Sequence, residues 1–488
     1  MSELPEGWAH ACISDLADIN PKQNFDDHLP AGFVPMSHAP TNFRDKLRFD
    51  ERNWGEIKKA YTNFKDGDVI FAKVTPCFEN GKAALVEGLP NGIGAGSSEF
   101  FVLRPSSKGV SAKYLLALVK SREFMLEGAA NMTGAVGLRR VPRQFVEGFA
   151  LPVPPAAEQT RIAQKLDELL AQVDTLKARM DGIPALLKRF RQSVLAAAVS
   201  GRLTEEWRKN YPENPIDLEA LPNSPKTRRG VPDTVRFPEV LETFQSPETW
   251  IWASAAKLLK KGLFIDLKDG NHGANHPKTS EFTAEGLPFI TAANVSSSGV
   301  IDYLNAPKVS GKALEKLRVG FAEPDDVIFT HKGTVGRVAL NSQKCVLTPQ
   351  TTYYRLNQSA ISSQYLSVFL QSNRFQVQTD EIKSQTTRDF IPITAQYELF
   401  HLLPPAQEQT EIVRRVEQLF AFANQLEAKV ASAKSRIDHL TQSILAKVFR
   451  GELVPQDPSD EPASVLLERI QAQRAAAPKA KRGRKASA

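Results

Sequence analysis

The chain states one long segment twice, and this limits the folds open to it more than any other feature. Pro154-Pro155-Ala156-Ala157-Glu158-Gln159-Thr160-Arg161-Ile162 returns 250 positions later as Pro404-Pro405-Ala406-Gln407-Glu408-Gln409-Thr410-Glu411-Ile412. The register holds without a gap to Gly201-Arg202-Leu203 and Gly451-Glu452-Leu453, with 17 of 50 positions identical. A repeat of this length is one structural unit built twice. In the first copy apolar residues fall at Ile162, Leu166, Leu169, Val173, Leu176, Met180, Ile183, Leu187, Phe190 and Val194. The second gives Ile412, Val416, Leu419, Ala423, Leu426, Val430, Ala433, Ile437, Leu440 and Ile444. Alternating steps of four and three are a heptad seam. Pro155 and Pro405 suit a first helical turn, Glu158 and Glu408 the positive end of the helix dipole, and Gly201 and Gly451 a C-terminal cap. Each copy is predicted as a helix roughly 65 Å long, the two packing antiparallel along the seam. Gly182-Ile183-Pro184 should kink or break the first; Lys434 at the proline's place leaves the second straighter.

The regions before the helices, 1–151 and 248–401, correspond loosely. Pro5-Glu6-Gly7-Trp8 answers Pro247-Glu248-Thr249-Trp250, and Asp68-Val69-Ile70-Phe71 answers Asp326-Val327-Ile328-Phe329. Phe100-Phe101-Val102-Leu103 answers Thr352-Tyr353-Tyr354-Arg355, and Tyr114-Leu115-Leu116 answers Tyr365-Leu366-Ser367. Each region reads as short strands, a helix, and a strand leading into the proline pair: an α/β globule of about 150 residues. The fold class is therefore α+β: two α/β domains separated by two long helices that pair as an antiparallel coiled coil, with an internal pseudo-two-fold repeat. Domain one is 1–151, helix one 152–203, a linker 204–247, domain two 248–401, helix two 402–453, and a tail 454–488. Seven prolines from Pro212 to Pro247 should leave the linker without helix or strand, and its Lys226-Thr227-Arg228-Arg229 reads as a solvated loop, with phosphate contact as the alternative. Residues 463–475 should form a short helix that docks through Val465, Leu466, Leu467 and Ile470, and the Lys/Arg/Ala-rich end should be disordered.

Composition narrows the function classes. No run approaches the ~20 apolar residues of a membrane helix, and the N-terminus lacks the basic and apolar regions of a signal peptide. Cys12, Cys77 and Cys345 lie far apart and read as reduced cytoplasmic thiols. Net charge is +7, but Lys479, Lys481, Arg482, Arg484 and Lys485 supply five of these charges, leaving about +2 on the rest. If the body binds nucleic acid, its basic residues must be grouped on one face. A phosphate-binding P-loop is absent because Gly81-Lys82-Ala83 lacks the upstream glycine spacing, and no nucleophile elbow occurs. His272 and His276 stand four apart, yet Gly270, Gly273 and Pro277 make that stretch a loop rather than a zinc helix. The residues offer no convincing catalytic constellation and no metal site.

Two variable regions, each followed by a Pro-Pro-x-x-Glu-Gln helix, a Gln-Ser-(Val/Ile)-Leu-Ala stretch and a Gly-x-Leu exit, resemble the specificity subunits of type I restriction–modification systems. Leu4-Pro5-Glu6-Gly7-Trp8, Lys188-Arg189-Phe190-Arg191-Gln192, Ile412-Val413-Arg414-Arg415-Val416-Glu417-Gln418-Leu419-Phe420 and the run Ser443 to Leu453 look like the type IA branch. The resemblance covers the organisation of the whole chain, and the sequence over 152–210 and 402–453. It implies a non-catalytic, cytoplasmic, DNA-associated bacterial subunit for defence against foreign DNA. The implied partners are double-stranded DNA, two methylation subunits and, in the full complex, restriction subunits. S-adenosylmethionine, ATP and magnesium belong to those partners, with no cofactor in this chain. Each variable region would be a target-recognition domain reading half of a split, asymmetric site, and the helices would dock the methylation subunits and set the spacing. A stand-alone methyltransferase or nuclease, and a coiled-coil adaptor without DNA binding, are the alternatives.

Loop residue types nominate the DNA contacts. In domain one they are Lys73, Asn80, Lys82, Ser97 and Ser98 at strand ends and turns, with Arg139 and Arg140 after the glycines of Gly134-Ala135-Val136-Gly137. In domain two they are Asn271 and His272 within Asp269-Gly270-Asn271-His272-Gly273, then Lys332, Thr334, Gln350, Thr351 and, from Thr386-Thr387-Arg388, Arg388.

Overall fold

A computed structural model describes residues 4–135, 137–225, 230–385 and 389–476. The basic tetrad 226–229, Thr386, Thr387 and Arg388, and the tail cations from Lys479 to Lys485 lie outside the described residues, so the expectations made for them have no structural counterpart.

The chain forms two compact units, 1–182 with 430–488, and 183–429. The division falls inside both long helices, Ala156–Val199 and Ala406–Phe449. Each unit therefore holds one variable domain, the opening half of the helix that follows it, and the closing half of the other helix. The Ala156–Val199 helix continues through Gly182-Ile183-Pro184, so of the kink or break expected there the break does not occur. Pro184 removes a single amide donor, and the helical turns on either side hold the backbone in register.

In the first unit Val69–Ala72 and Phe100–Pro105 are the inner strands of a four-stranded antiparallel sheet, edged by Ala17–Ile19 and Ala83–Leu85. Their near-continuous apolar runs follow from burial on both faces. Val69, Phe71, Phe101 and Leu103 pack on the helices Ala112–Val119 and Arg122–Ala130, while Ile70, Phe100 and Val102 pack with Val34 and Phe64 of a second sheet. That sheet orders Asp50–Asn53, Pro30–Val34, Ile93–Gly96 and Thr62–Lys65, with one parallel pair, 30–34 beside 93–96. The second unit repeats the design. Phe264–Asp269, Thr351–Leu356, Val327–Thr330 and Val338–Leu340 form the antiparallel sheet. Lys308–Val309, Leu287–Ile290, Cys345–Leu347 and Phe321–Ala322 form the sheet whose inner pair is parallel. The strand orders of the two domains coincide, so the loose correspondence legible in sequence is one topology used twice.

The strand before each proline pair belongs to its domain: Ala150–Val153 pairs with Ala9–Cys12, and Phe400–Leu403 with Ile251–Ser254. The linker is not free of structure. Helix Glu205–Asn210, acidic at its start and basic at its end, forms before the first linker proline, and Glu239–Glu242 follows directly on Pro238. Ala463–Ala476 is helical, and Ala463, Leu466 and Ile470 enter the core of the first unit.

The helices run antiparallel within each unit. In the first, Lys177 pairs with Asp438 at 3.0 Å and Lys434 with Asp181 at 2.5 Å, and Leu166 and Leu170 share a core with Leu445 and Val448. In the second, Arg191 meets Asn424 at 2.6 Å and Glu427 at 2.8 Å, and Val194, Leu195, Ala198 and Val199 share a core with Ile412 and Val416. The heptad seam needs correction. Ile162, Leu166 and Val173 are buried, but Leu170 rather than Leu169 fills the next place, and Leu176 is 39% exposed. In the second helix Ile412, Val416 and Ala423 are buried, Leu419, Leu426 and Val430 half-buried, and Leu440 exposed. Near the helix ends the domains close over the helix pair, which widens the buried stripe beyond a two-position seam. Over 174–179 every residue is exposed, and nine of the twenty seam positions are fully buried.

Candidate nucleic-acid interface

What fixes each domain on its helix is a cluster of polar side chains supplied by the repeated motif. The indole of Trp8 donates to Glu158 at 3.0 Å, and that of Trp250 to Glu408 at 2.8 Å. Gln159 accepts from the amide of Ser111 at 2.8 Å and donates to the Pro154 carbonyl at 3.0 Å; Gln409 does the same with Ser362 at 2.9 Å and Pro404 at 2.9 Å. Ser111 and Ser362 cap the helices that begin at Ala112 and Ser363. From those helices Tyr114 donates to the Pro152 carbonyl at 2.6 Å and Tyr365 to the Leu402 carbonyl at 2.8 Å. The Glu-Gln pair is thus more than a favourable charge at a helix start. Both side chains are buried, where an unmade hydrogen bond would cost about 1–3 kcal/mol. Burial pushes the Glu158 carboxyl up, while the indole bond favours its ionised form. Glu408 also accepts from Thr204 at 2.7 Å and Arg208 at 2.8 Å.

The exit glycines complete the arrangement. Gly201 and Gly451 sit at φ +78° and +70°, and a Cβ there would stand 2.4 Å from Pro247 Cγ and 2.5 Å from Pro5 Cγ respectively. The first helix thereby ends against the proline that opens domain two, and the second against the proline that opens domain one. A second pair, with its carboxylate buried and its arginine half-buried, recurs inside the domains: Arg104 binds Asp68 at 2.7 Å, and Arg355 binds Asp326 at 2.7 Å.

At one rim of domain one the structure gathers several nominated residues. Lys73 follows strand Val69–Ala72, and its ammonium lies 5.6 Å from the Phe101 ring centroid. Its amide bonds the Glu99 carbonyl, beside Ser97 and the exposed Ser98. The hairpin Thr133–Ala135/Leu138–Arg140 closes over this strand end, joined through Thr75 to the Arg139 carbonyl at 3.0 Å. Arg140 forks onto Glu99 at 2.8 and 2.9 Å, and this guanidinium holds the Glu99 carboxyl below its ordinary range. Arg139 makes a looser 3.4 Å contact with Glu79, next to the exposed Asn80. Lys82 stands apart from this group: its ammonium is tied to the Met36 carbonyl at 2.9 Å.

Domain two divides its nominated residues in the same way. Lys332 and Thr334 are exposed, with the Lys332 ammonium 5.4 Å from the Phe390 ring centroid. Gln350 is half-buried, and its side-chain oxygen accepts from the Ala292 amide at 3.1 Å. His272 is exposed and meets Asp269 at 2.7 Å, while His276 faces the Asn271 carbonyl. Two nominations are corrected. Asn271 is buried, its side chain accepting from the amides of Arg318 and Val319 and donating to the Val319 carbonyl. Thr351 is buried, with its hydroxyl on the Ile290 and Thr348 carbonyls. Both hold loop backbone, the ordinary work of a short polar side chain in a turn. Sequence reasoning missed His331, which is buried with Nδ1 2.9 Å from the Ile391 carbonyl and pushed down in pKa by burial. Its position directly before the nominated Lys332 was the available signal.

Comparison with known proteins agrees with this architecture. The type I restriction modification DNA specificity domain matches residues 5–185 and 272–433. The EcoDI specificity subunit of Escherichia coli is 35% identical over 70% of this chain and 72% of its own length. The EcoKI specificity subunit of Escherichia coli strain K12 is 29% identical over 99% of both chains. The HsdS subunit from Thermoanaerobacter tengcongensis superposes with TM-score 0.60 at 20% identity, covering 92% of this chain and 98% of that one. A chain solved in work on assembly of the type I R-M system gives TM-score 0.62 at 20% identity over 93% and 100%.

Proposed function

The chain belongs to the type I restriction–modification DNA specificity family, and we propose that each of its two domains reads one half of a bipartite, asymmetric DNA site within such a complex. The observation that carries this reading is the contrast inside the repeat. One buried attachment, Trp–Glu, Gln–Ser and Tyr–carbonyl, is built twice around one sheet topology, yet the rims carried on it present Lys73, Arg139 and Arg140 in the first domain and His331, Asp389 and Phe390 in the second. Two identical mounts bearing two different reading edges suit two different half-sites.

On this reading the chain performs no chemistry. The long helices dock two methylation subunits and set the spacing between half-sites, and restriction subunits join the full complex. S-adenosylmethionine, ATP and magnesium act in those partners. No helix among the described residues is long and apolar enough to cross a membrane; on this reading the chain works in the cytoplasm, held at the nucleoid by DNA. The rim cations, Lys73, Arg139, Arg140 and Lys332, supply the phosphate and base contacts, since sequence is read at base edges while phosphates fix register.

Mapping methyladenine in cells that express this chain with its methylation subunits tests the proposal. A split motif is expected, and exchange of residues 1–151 for another family member's domain should alter one half of it alone. Methylation without a split motif, or a change in both halves, rejects the reading.

A further inference from the structure

Equivalent backbone hydrogen bonds align the two rims residue by residue. The Lys73 amide donates to the Glu99 carbonyl at 2.9 Å, as His331 does to Gln350 at 2.9 Å. Val141 donates to Lys73 at 2.8 Å, as Ile391 does to His331 at 2.9 Å. Thr75 donates to Arg139 at 3.0 Å, as Gly333 does to Asp389 at 2.9 Å, and Ser97 to Val34 as Thr348 to Ile290, both at 3.0 Å. Isolated bridges join Val74 to Arg140 and Lys332 to Phe390. The alignment sets Glu99 opposite Gln350, and Arg140 opposite Phe390.

One backbone template thus carries two chemistries at the same stations. In domain one Glu99 takes Nε and Nη2 of Arg140 in a side-on fork. That fixes the plane of the guanidinium and turns its other edge, Nη1 and the second N–H of Nη2, away from the carboxylate. The Arg140 side chain is 43% exposed. An ion pair so open to solvent contributes roughly 0–1 kcal/mol to stability, so the fold has little need of it. In domain two the station of Glu99 holds Gln350, whose oxygen is occupied by the Ala292 amide, leaving the amide nitrogen as the group on offer.

We propose that Arg140, oriented by Glu99 as a positioning residue, is the specificity-determining residue of domain one and reads a guanine through its paired acceptors, while Gln350 holds the matching station in domain two as a neutral donor. Guanine N7 and O6 accept two parallel N–H bonds from a guanidinium, and a rigid fork is worth more there than a mobile one because less freedom is lost on contact. The proposal rests on the half-site reading above.

The test uses the assembled complex with its methylation subunits, S-adenosylmethionine and a DNA library randomised across both half-sites, with the methylated molecules sequenced. Wild type should give a split motif with guanine at one position of the domain-one half. Arg140→Ala should relax that position alone, by about tenfold or more. Arg140→Lys, which keeps charge but not the fork, should relax it nearly as much, and Glu99→Gln should relax it less. Gln350→Ala should change only the other half. A uniform fall in methylation with Arg140→Ala, cured by Arg140→Lys and leaving every base preference intact, would make Arg140 a phosphate contact and overturn the proposal. So would loss of assembly in Arg140→Ala combined with an unchanged motif in Arg140→Lys and Glu99→Gln. Absence of any split motif in wild type rejects the half-site reading itself, a separate result.

Discussion

The indoles of Trp8 and Trp250 meet their glutamates within 3.0 Å in two attachments of the same design, while at the far rim of each domain one backbone position carries Arg140 in the first and Phe390 in the second. Positions buried between a domain and its helix answer to packing and hydrogen-bond satisfaction, which are the same in both copies. Rim positions such as Arg140, whose side chain is 43% exposed, answer also to what lies outside the protein. The frame also differs in detail between copies, and those differences show what each attachment is worth.

The largest contrast concerns what covers each attachment. The core of the first unit takes Leu466 and Ile470 from the helix Ala463–Ala476, whereas that of the second takes Leu218 from the linker. Ending the chain after residue 460 removes Ala463, Leu466 and Ile470 from a core where each large side chain is worth roughly 1.5–3 kcal/mol. The first unit should lose several kcal/mol and the second none, as hydrogen exchange can resolve. Next come the glutamates. Glu408→Ala leaves the Trp250 indole, Thr204 and the Arg208 guanidinium without their acceptor, and should cost about 3–5 kcal/mol in chemical denaturation. Glu158→Ala leaves only neutral donors, Trp8 and Gln456, without their acceptor, and should cost about 1–3 kcal/mol. Equal losses would show that the Arg208 ion pair adds nothing.

A pH comparison separates the units further. His401 is buried among the rings of Phe264, Tyr354, Phe369 and Phe375, and burial pushes its pKa down to about 3. Its counterpart in the pairing strand of domain one is Leu151. A depressed histidine pKa means that the folded state keeps the ring neutral. Its contribution is complete above the unfolded value of 6.5 and is lost as pH falls toward 3. His401→Leu should therefore flatten the acid limb of second-unit unfolding between pH 6.5 and 3, and an unchanged limb would place the acid sensitivity elsewhere. The helix stripe offers a test of comparable chemistry at two burials. Leu170→Ala should cost about 2–5 kcal/mol, and Leu176→Ala within about 0.5 kcal/mol, read from thermal melting. The smallest effect is expected from deleting residues 478–488. Loss of five cations should weaken low-salt DNA binding modestly and leave the methylated motif as it was.

Sequence legibility followed the same division. The two helices were legible because period and caps are local properties repeated in register, and the shared domain topology was foreshadowed by Asp68-Val69-Ile70-Phe71 and Asp326-Val327-Ile328-Phe329. The Trp–Glu attachment was not, although both residues stood in motifs already singled out, because 150 positions separate Trp8 from Glu158. Arg139, Arg140, Lys73 and Lys332 were nominated by side-chain type, and the structure places them at strand ends and hairpins of the two domains. Asn271 and Thr351 share the composition of contact loops but are turned inward, since polar loop residues serve backbone and ligand with the same atoms.

The sequence by itself determined that one unit is built twice, that its long segments are helices, and that its variable parts are two domains of one design. Periodicity and repetition carry that information along the chain. Only the tertiary structure decided that Leu170 rather than Leu169 faces inward, that Glu158 and Glu408 hold indoles, and that Glu99 orients Arg140 where domain two has Gln350 and Phe390. Each of these depends on which distant residues share a surface. Burial and hydrogen-bond partnership are properties of pairs, and a linear pattern specifies only one member of each pair at a time.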